Sequence, residues 1–499
     1  MCRDLKRLGI IFLLTLSASL TAAAQGPGNA AAGETVRPAP SATPTDDEVR
    51  TRVKVLEQQV EMLRRELNEL KVMAAKSSSP GPAVTAKTET QPAAAQKAEP
   101  VAASPATPAK KDLGIDVGSA RLTPYGTLYF NAFGNSGGTN NADVPLFATT
   151  SGSGNVSASV RQTRLGVRLE GARVGKAKLS AIFEGDFFGG FPSVAIGENF
   201  GVFRLRLANA RLDWEKTSVT LGQDWMVFAP VNPTSLAAAA IPQMAASGNL
   251  WSRLPQVKVE RKLTPNITWQ GAVLAPQTGD FATSAVFFLQ PTSGTASRVP
   301  YLQSRISFAG KNIFNSKKPG SVGISGHYGR SAIFTGTNNL RNDIDSVGLA
   351  VDWNLPLSKR VGISGEAFFG RNLGGFQGGV FQSYNSDFAF RQGVASTAGG
   401  IRSIGTRGGW TQLSFIPPVL KDRLGIYGTF GIDDPKNSDL TSVASRDWRL
   451  RNMTVAGEMI YKFTPQFSFG IEYRGFWTTY MLRGRQHANH VNLAATYSF

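Results

Sequence analysis

Seven basic side chains, Arg164, Arg168, Lys178, Arg211, Lys258, Arg305 and Arg474, sit in segments where charged or polar residues alternate with apolar ones. Guanidinium and ammonium groups spaced along one side of an extended chain present forked donors and point charges to a passing carboxylate or phosphate. The same segments carry Glu170, Glu184, Asp186, Asp213, Glu260, Glu366 and Glu472 on the same side, so the competing reading is that acids and bases pair with one another along the wall. Other chemistries find little support. The three histidines are His327, His487 and His490, and His487-x-x-His490 lacks nearby carboxylate or cysteine partners for a metal. Asp433-Asp434-Pro435-Lys436-Asn437-Ser438-Asp439 lacks the ordered ligand spacing of a calcium loop and reads as turn chemistry. No Ser/His pair suggests a nucleophile and its base. The expectation is no catalytic residue, no metal and no cofactor.

Period-two alternation means strands, and strands must position these charges. In Arg161 to Glu170, Leu165, Val167 and Leu169 share one face while Gln162, Arg164, Arg168 and Glu170 share the other. Phe467, Phe469, Ile471 and Tyr473 oppose Ser468, Glu472 and Arg474, and Val347, Leu349, Val351 and Trp353 oppose Ser346 and Asp352. One face apolar and the other charged suits a wall between lipid and water, since unpaired charges in a dry core would be costly. In Phe203 to Trp214 the apolar phase switches near Leu207, which indicates a bulge or a subunit contact. That leaves Asn209, Arg211 and Asp213 inward and Arg204 and Arg206 open. The final stretch, Val491 to Phe499, alternates to an aromatic end like the closing strand of a bacterial outer-membrane barrel.

Sixteen such segments are expected, starting near Tyr125, Arg161, Lys178, Phe203, Ser218, Arg253, Ile267, Tyr301, Val322, Asp345, Val361, Gly408, Leu424, Arg449, Phe467 and Ala488. Short turns separate them at Arg261-Lys262-Leu263-Thr264-Pro265 and at Tyr461-Lys462-Phe463-Thr464-Pro465, and others fall at Lys317 to Gly320, Asn354 to Pro356 and Pro417-Pro418. Long Gly-, Ser- and Asn-rich stretches alternate with these turns: Asn135 to Ser159, Met226 to Ser252, Pro276 to Val299 and Asn372 to Arg407. Tight turns on one side and long loops on the other belong to outer-membrane barrels. Tyr129, Trp214, Trp269, Trp353, Tyr461 and Tyr497 near strand ends read as interfacial girdles. The fold class is thus an all-β transmembrane barrel of about sixteen antiparallel strands over residues 112–499.

Before the barrel, Arg3, Lys6 and Arg7 precede an apolar run to Leu20 and then Ala22 to Ala24, which reads as a secretory signal peptide over residues 1–24. Cys2, the one cysteine, would leave with it. Val49, Val53, Leu56, Val60, Leu63, Leu67, Leu70 and Ala74 form a heptad seam, so residues 46–74 are expected to make a short periplasmic α-helical coiled coil. Valine at a positions favours two strands, whereas Arg52 to Glu57 has the Arg-h-x-x-h-Glu pattern of trimers. Residues 75–111, built from Ala, Pro, Ser, Thr, Lys and Gln, read as a disordered Ala/Pro-rich linker.

From residue 112 onward there are 38 Lys and Arg against 24 Asp and Glu, so +14 of the net +18 lies on the barrel. A basic channel concentrates anions, whereas no nucleic-acid-binding module is recognisable, so no nucleic acid is expected as partner. Arg446, Arg449, Arg451, Arg483 and Arg485 are candidates for lipopolysaccharide phosphates among the outer-membrane lipids.

Arg204-Leu205-Arg206-Leu207-Ala208-Asn209-Ala210-Arg211-Leu212-Asp213-Trp214, followed by Leu221-Gly222-Gln223-Asp224-Trp225, resembles the Arg-x-Arg-x-Ala-Tyr and Gly-Gln-Thr-Trp region of DcaP-like trimeric porins. Signal, coil, linker and barrel also come in the same order. Asn209 stands where the family pattern tends to an aromatic residue, and Asp224 where it has Thr, so substrate preference does not carry over. The resemblance implies a homotrimer of sixteen-stranded barrels whose third long loop, here Met226 to Ser252, folds inward to narrow the pore. The leading expectation is a bacterial outer-membrane channel for passive diffusion of small hydrophilic, anionic solutes. Alternatives are a tether holding the membrane to the cell wall through the coil, and a barrel enzyme.

Overall fold

A computed structural model of the chain describes residues 114–190, 201–280, 291–311, 318–335, 339–386, 401–440 and 447–499. The expected signal peptide, coiled coil and linker lie outside the described residues, as does Arg446.

The wall consists of β1 (Ala120–Thr139), β2 (Arg164–Glu170), β3 (Ala177–Asp186), β4 (Arg204–Asp213), β5 (Thr217–Trp225), β6 (Arg253–Lys262), β7 (Ile267–Leu274) and β8 (Tyr301–Lys311). It continues with β9 (Pro319–Thr335), β10 (Leu340–Pro356), β11 (Val361–Arg371), β12 (Gly405–Phe415), β13 (Leu424–Pro435), β14 (Arg449–Lys462), β15 (Phe467–Tyr480) and β16 (Gly484–Ser498). Each strand pairs antiparallel with the next, and β16 returns to β1 from Thr127↔Ser498 to Asn135↔His490. Gly126 and Phe499 exchange backbone hydrogen bonds of 3.2 and 3.1 Å beyond that ladder. The sheet is a closed sixteen-stranded antiparallel barrel. Closure removes the unpaired edge that an open sheet would present to hydrocarbon.

Alternation fixes the faces as expected. Val347, Leu349 and Val351 are exposed on the outer surface of β10, while Ser346 and Asp352 are buried inside. In β16, Val491 and Tyr497 face out and Asn492 and Thr496 face in. Among the girdle candidates, Trp214 and Tyr497 are exposed, but Tyr129 is buried on the same face as Asn131 and points into the lumen. It lies two residues from the inward Asn131, in the same phase of the strand, which strand-end proximity alone does not reveal.

The two turns that share a sequence signature also share hydrogen bonds. Leu263 N–H donates to Ile267 O (2.9 Å), and Thr264 Oγ1 accepts from Asn266 and Ile267 N–H (3.3 and 3.0 Å). Phe463 N–H donates to Phe467 O (3.0 Å), and Thr464 Oγ1 accepts from Gln466 and Phe467 N–H (3.2 and 2.9 Å). The threonine supplies the acceptor that the turn lacks. The expected turn at Asn354 to Pro356 lies later, because Leu355 and Pro356 still pair with Ile363 and Gly362.

A larger difference concerns Asn135 to Ser159. Residues Ala148–Ser159 form a strand segment that pairs with the upper part of β1, and β2 pairs with the lower part. The segment is exposed along nearly its whole length, so it has no apolar face to mark it as a strand. Two strand partners of β1 are therefore joined end to end across residues 160–163.

Outward side chains in the apolar band should tolerate charge poorly. Val351→Arg is expected to lower the stability of the lipid-inserted barrel by about 2–4 kcal/mol, read from denaturant-induced unfolding in vesicles.

Candidate functional site: the barrel interior

Residues 226–252 leave β5 at Trp225, cross the lumen and rejoin the wall at Arg253. They carry no charged side chain, and most are buried. A loop of this kind is stable inside a polar tube only if the wall satisfies its backbone. Gln303 Oε1 on β8 accepts from Val227 and Phe228 N–H (2.9 and 3.0 Å). Gln412 on β12 accepts from Thr234 N–H and donates to Thr234 O (both 2.9 Å), as a neighbouring strand would. Gln162 Oε1, in the gap between the two partners of β1, accepts from Ala239 and Ala240 N–H (both 2.9 Å), and its Nε2 donates to Ala237 O (2.9 Å). Two carboxylates act the same way: Glu458 accepts from Leu236 N–H and Glu366 from Leu250 N–H, both at 2.8 Å. Glu472 accepts from Ser235 Oγ (2.6 Å) and Gln243 Nε2 (2.7 Å).

Apolar packing completes the attachment. Phe228 and Leu250 from the loop meet Leu254, Leu274, Tyr301 and Phe368 from the wall and Leu373 and Phe376 from residues 372–385. A second cluster joins Val144 and Leu146, Ala240 and Trp251, and Val380, so three loops meet inside the mouth of the barrel. Val380 has φ 50°, a left-handed conformation disfavoured for a β-branched residue. Its N–H donates to Asp433 Oδ2 (3.1 Å) and its O accepts from Arg449 Nε (2.9 Å), which hold the backbone in place. Gly248, at φ 100°, lies so close to the wall that a Cβ would fall 2.0 Å from Gly409 O. The loop therefore rests on bare backbone there.

Beside the loop lies the bulge expected near Leu207. Glu184 pairs with Leu207 and Gly185 with Leu205, which leaves Arg206 as the extra residue. The shift lets Arg204 and Arg206 face inward along with Asn209, Arg211 and Asp213. Arg206 binds Glu184 and Asp186, both at 2.8 Å, and Arg204 binds Asp186 at 2.7 Å. Both guanidinium groups also donate to loop carbonyls, Arg206 to Ala239 O (3.3 Å) and Arg204 to Ala240 O (2.8 Å). Arg253, stacked 4.7 Å from Trp225 and 5.1 Å from Trp251, donates to the same Ala240 O (3.2 Å).

The seven candidate cations are distributed around the wall. Arg164 lies 3.8 Å from Glu184, within the bulge network. Arg211 pairs with Asp213 (2.8 Å) and Glu260 (3.2 Å), and Lys258 pairs with Asp224 (2.7 Å). Both align with Thr220 between them, so these two share one level. Arg305 pairs with Asp352 at 2.7 Å across β9, and the reason is Gly323: a Cβ there would lie 2.7 Å from the guanidinium and 2.8 Å from the carboxylate. Arg474 is buried against Glu472 and points at Pro145 O, under the loops. Arg168 and Lys178 are exposed near the barrel end that holds both wall termini, and neither has an ion pair among the described residues. Arg168 lies over the Tyr125 ring at 4.6 Å. Of the seven acids expected to compete, Glu184, Asp213, Glu260 and Glu472 pair with these cations and Asp186 pairs with Arg204 and Arg206, whereas Glu170 and Glu366 form no ion pair with them among the described residues and Asp224 and Asp352, outside that set, do.

Sequence reasoning missed Gln162, Gln303 and Gln412 as loop anchors. Their one signal was an inward position in phase with neighbouring charges, as Gln303 is with Arg305. The histidines divide as the alternation requires: His490 is buried beside Asn135 (2.9 Å), and His487 is on the outer face, stacked 5.1 Å from Trp477. Opposite faces prevent the pair from sharing an ion. His327 binds Ser346 (3.0 Å) and packs on Phe376 and Tyr301. Asp433 and Asp434 likewise face opposite ways, Asp433 to Thr406 and Asp434 to Arg407 and Arg451.

No protein-family profile and no curated protein sequence matches the chain. Solved structures do. The outer membrane channel DcaP of Acinetobacter baumannii superposes with a TM-score of 0.57 at 18% identity, covering 77% of this chain and 99% of that one. An anion-selective porin from Comamonas acidovorans (TM-score 0.46, 13% identity, 76% of this chain and 100% of that one) and Salmonella typhi OmpF in complex with daunomycin (0.48, 12%, 77% and 100%) are also similar. The fold is that of a DcaP-like porin barrel.

Two substitutions test this interior. Gly248→Val should push the loop off Gly409 and raise single-channel conductance or its noise while the barrel stays folded. Gly323→Val should separate Arg305 from Asp352, costing about 3–5 kcal/mol if the pair is left uncompensated, as read by thermal unfolding in detergent.

Proposed function

We propose that this chain is an outer-membrane porin: a homotrimeric, water-filled channel for passive diffusion of small hydrophilic solutes, with preference for anions carrying carboxylate or phosphate groups. The observation that carries the reading is a closed barrel, apolar outside and lined inside by charged side chains, with a loop drawn across its lumen. Similarity to the DcaP channel supports the fold on which this rests. The end with short turns and both wall termini faces the periplasm, where residues 46–74 and 75–111 would provide the coil and linker.

Most inward cations are matched by carboxylates, and a paired charge contributes little field to a passing ion. Anion preference then rests on the excess of basic residues and on Arg168 and Lys178 at the periplasmic entrance, where unpaired cations raise the local anion concentration. Arg164, Arg211, Lys258, Arg305 and Arg474 serve chiefly to hold the wall and loop in register. A tether function would need the coil to bind the cell wall; it is separated by measuring whether the purified protein conducts at all.

Planar-bilayer recording tests the reading directly, with a steady conductance and an anion-biased reversal potential in a salt gradient as the expected result. Arg168→Glu with Lys178→Glu should move the reversal potential toward that of cations, and the shift should shrink at high salt as screening shortens the range of the field. An unchanged reversal potential would remove these two residues from the selectivity account.

A further inference from the structure

We infer that the outer surface of β12 to β16 carries a docking site for the phosphate groups of lipopolysaccharide, formed by Arg407, Asp434, Arg451 and Arg485. The inference rests on the outer-membrane reading and adds to it a partner and a place. Strand register puts the four residues in one row. Arg407 pairs with Asp434, Asp434 follows the Asp433↔Asn452 pair and meets Arg451, Arg451 pairs with Thr479, and Thr479 pairs with Arg485. Residues opposite one another in antiparallel strands project to the same face. This face is the outside, because the inward neighbours Thr406, Asp433, Asn452 and Thr478 are buried in the lumen.

Asp434 bridges the first two arginines, at 3.2 Å to Arg407 and 2.9 Å to Arg451, yet their side chains remain 78% and 51% exposed. Arg485 lies 5.8 Å from the Trp477 ring. Three arginines and one aspartate leave a net charge of +2, spread over four interstrand steps of about 4.8 Å, or about 19 Å. One carboxylate aligns two guanidinium groups without neutralising both. That leaves donors directed at solvent, of the kind that bind phosphate in a forked geometry.

Height argues for a lipid headgroup. Below the row each strand presents an apolar outward column, such as Ile426 and Phe430 on β13 and Val455 and Met459 on β14. From Arg451 to Tyr461 the strand runs ten residues, about 33 Å at 3.3 Å each, and a tilt of about 40° reduces that to about 25 Å along the membrane normal. This equals the height of the apolar band of such barrels. The arginines therefore sit where the band ends on the side opposite the short turns, at the level of the outer headgroups. An anionic glycolipid whose acyl chains lie along those columns would meet the row with its phosphates.

The test uses the full chain in detergent and compares Arg407→Gln/Arg451→Gln/Arg485→Gln with the unaltered protein. The probe is purified lipopolysaccharide with phosphorylated lipid A, set against the same lipid after dephosphorylation. Binding by the unaltered protein should fall at least about tenfold on dephosphorylation, and binding of the phosphorylated form should fall by a similar factor in the triple variant, the scale expected for two or three headgroup-level arginines. Arg485→Gln alone, which breaks no ion pair among the described residues, should give an intermediate loss. Equal binding of the two lipids, or unchanged binding by both variants, would overturn the site. Bilayer conductance is recorded on the same samples: absence of any channel in the unaltered protein would instead refute the porin reading.

Discussion

Backbone hydrogen bonding is the constraint on which the rest of this structure depends. In the membrane no water can replace a missing ladder partner, so the sheet must close, and Gly126 with Phe499 completes the seam. The same rule applies inside, where β5 gives up its place at Trp225 so that the chain can enter the lumen. Gln223 Nε2 then donates to Leu205 O and Arg206 O (3.0 and 3.1 Å), carbonyls that the departed strand leaves open. Gln256 does the same for Asp224 O and Trp225 O, both at 2.9 Å. Primary amides suit this task because each offers a donor and an acceptor in the geometry of a peptide group. A loop without charges can thus cross a charged tube because wall side chains act as its missing strands.

This division also explains what the sequence disclosed and what it concealed. Period-two alternation is local, and it placed the starts of strands at Arg253, Ile267, Tyr301, Val361, Leu424, Arg449 and Phe467 where they are observed. The phase switch at Leu207 marked a bulge because a one-residue insertion reverses the faces, which a single strand already displays. The strand segment Ala148–Ser159 lacked that signal: it stands clear of the apolar band with both faces polar, so glycine and serine made it look like a loop. The inward course of Met226 to Ser252, which buries Phe228 and Leu250, was implied by the family resemblance alone, and burial of Val144 and Val380 had no signal. Their contacts join segments more than a hundred residues apart, and nothing in the local pattern distinguishes a loop that folds inward from one that extends outward.

Electrostatics inside the barrel follows from the same register. Residues two apart on a strand and their counterparts on nearby strands share a face, so inward bases and acids fall within reach of each other, as Arg211 does with Asp213 on its own strand and with Glu260 two strands away. The Arg305–Asp352 pair spans an entire strand and exists because β9 has glycine at the point of crossing. Such pairs are costly to break from one side, which makes them constraints on geometry more than sources of field. In the proposed channel, selectivity comes from what remains after pairing. Arg168 and Lys178, exposed at the rim, belong to that remainder, whereas the net +14 also counts outward residues such as Arg407, Arg451 and Arg485 that a solute in the lumen would not meet.

Arg449 and Arg451 show how far a single irregularity can divide function along a strand. Two residues apart, they would share a face on a regular strand. The register shift between them pairs Arg449 with Tyr480 and Arg451 with Thr479, which project to opposite sides. Arg449 turns inward to bind Val380 O and pack on Phe147 at 4.9 Å, helping to hold the loops in the mouth of the barrel. Arg451 turns outward to Asp434 and joins the arginine row. Arg449 was expected on the outer surface with Arg451, and the shift is the reason it is not. The bulge thus lets one end of β14 present a cation to the lumen and another to the outer surface, with each charge placed where a partner or water can meet it.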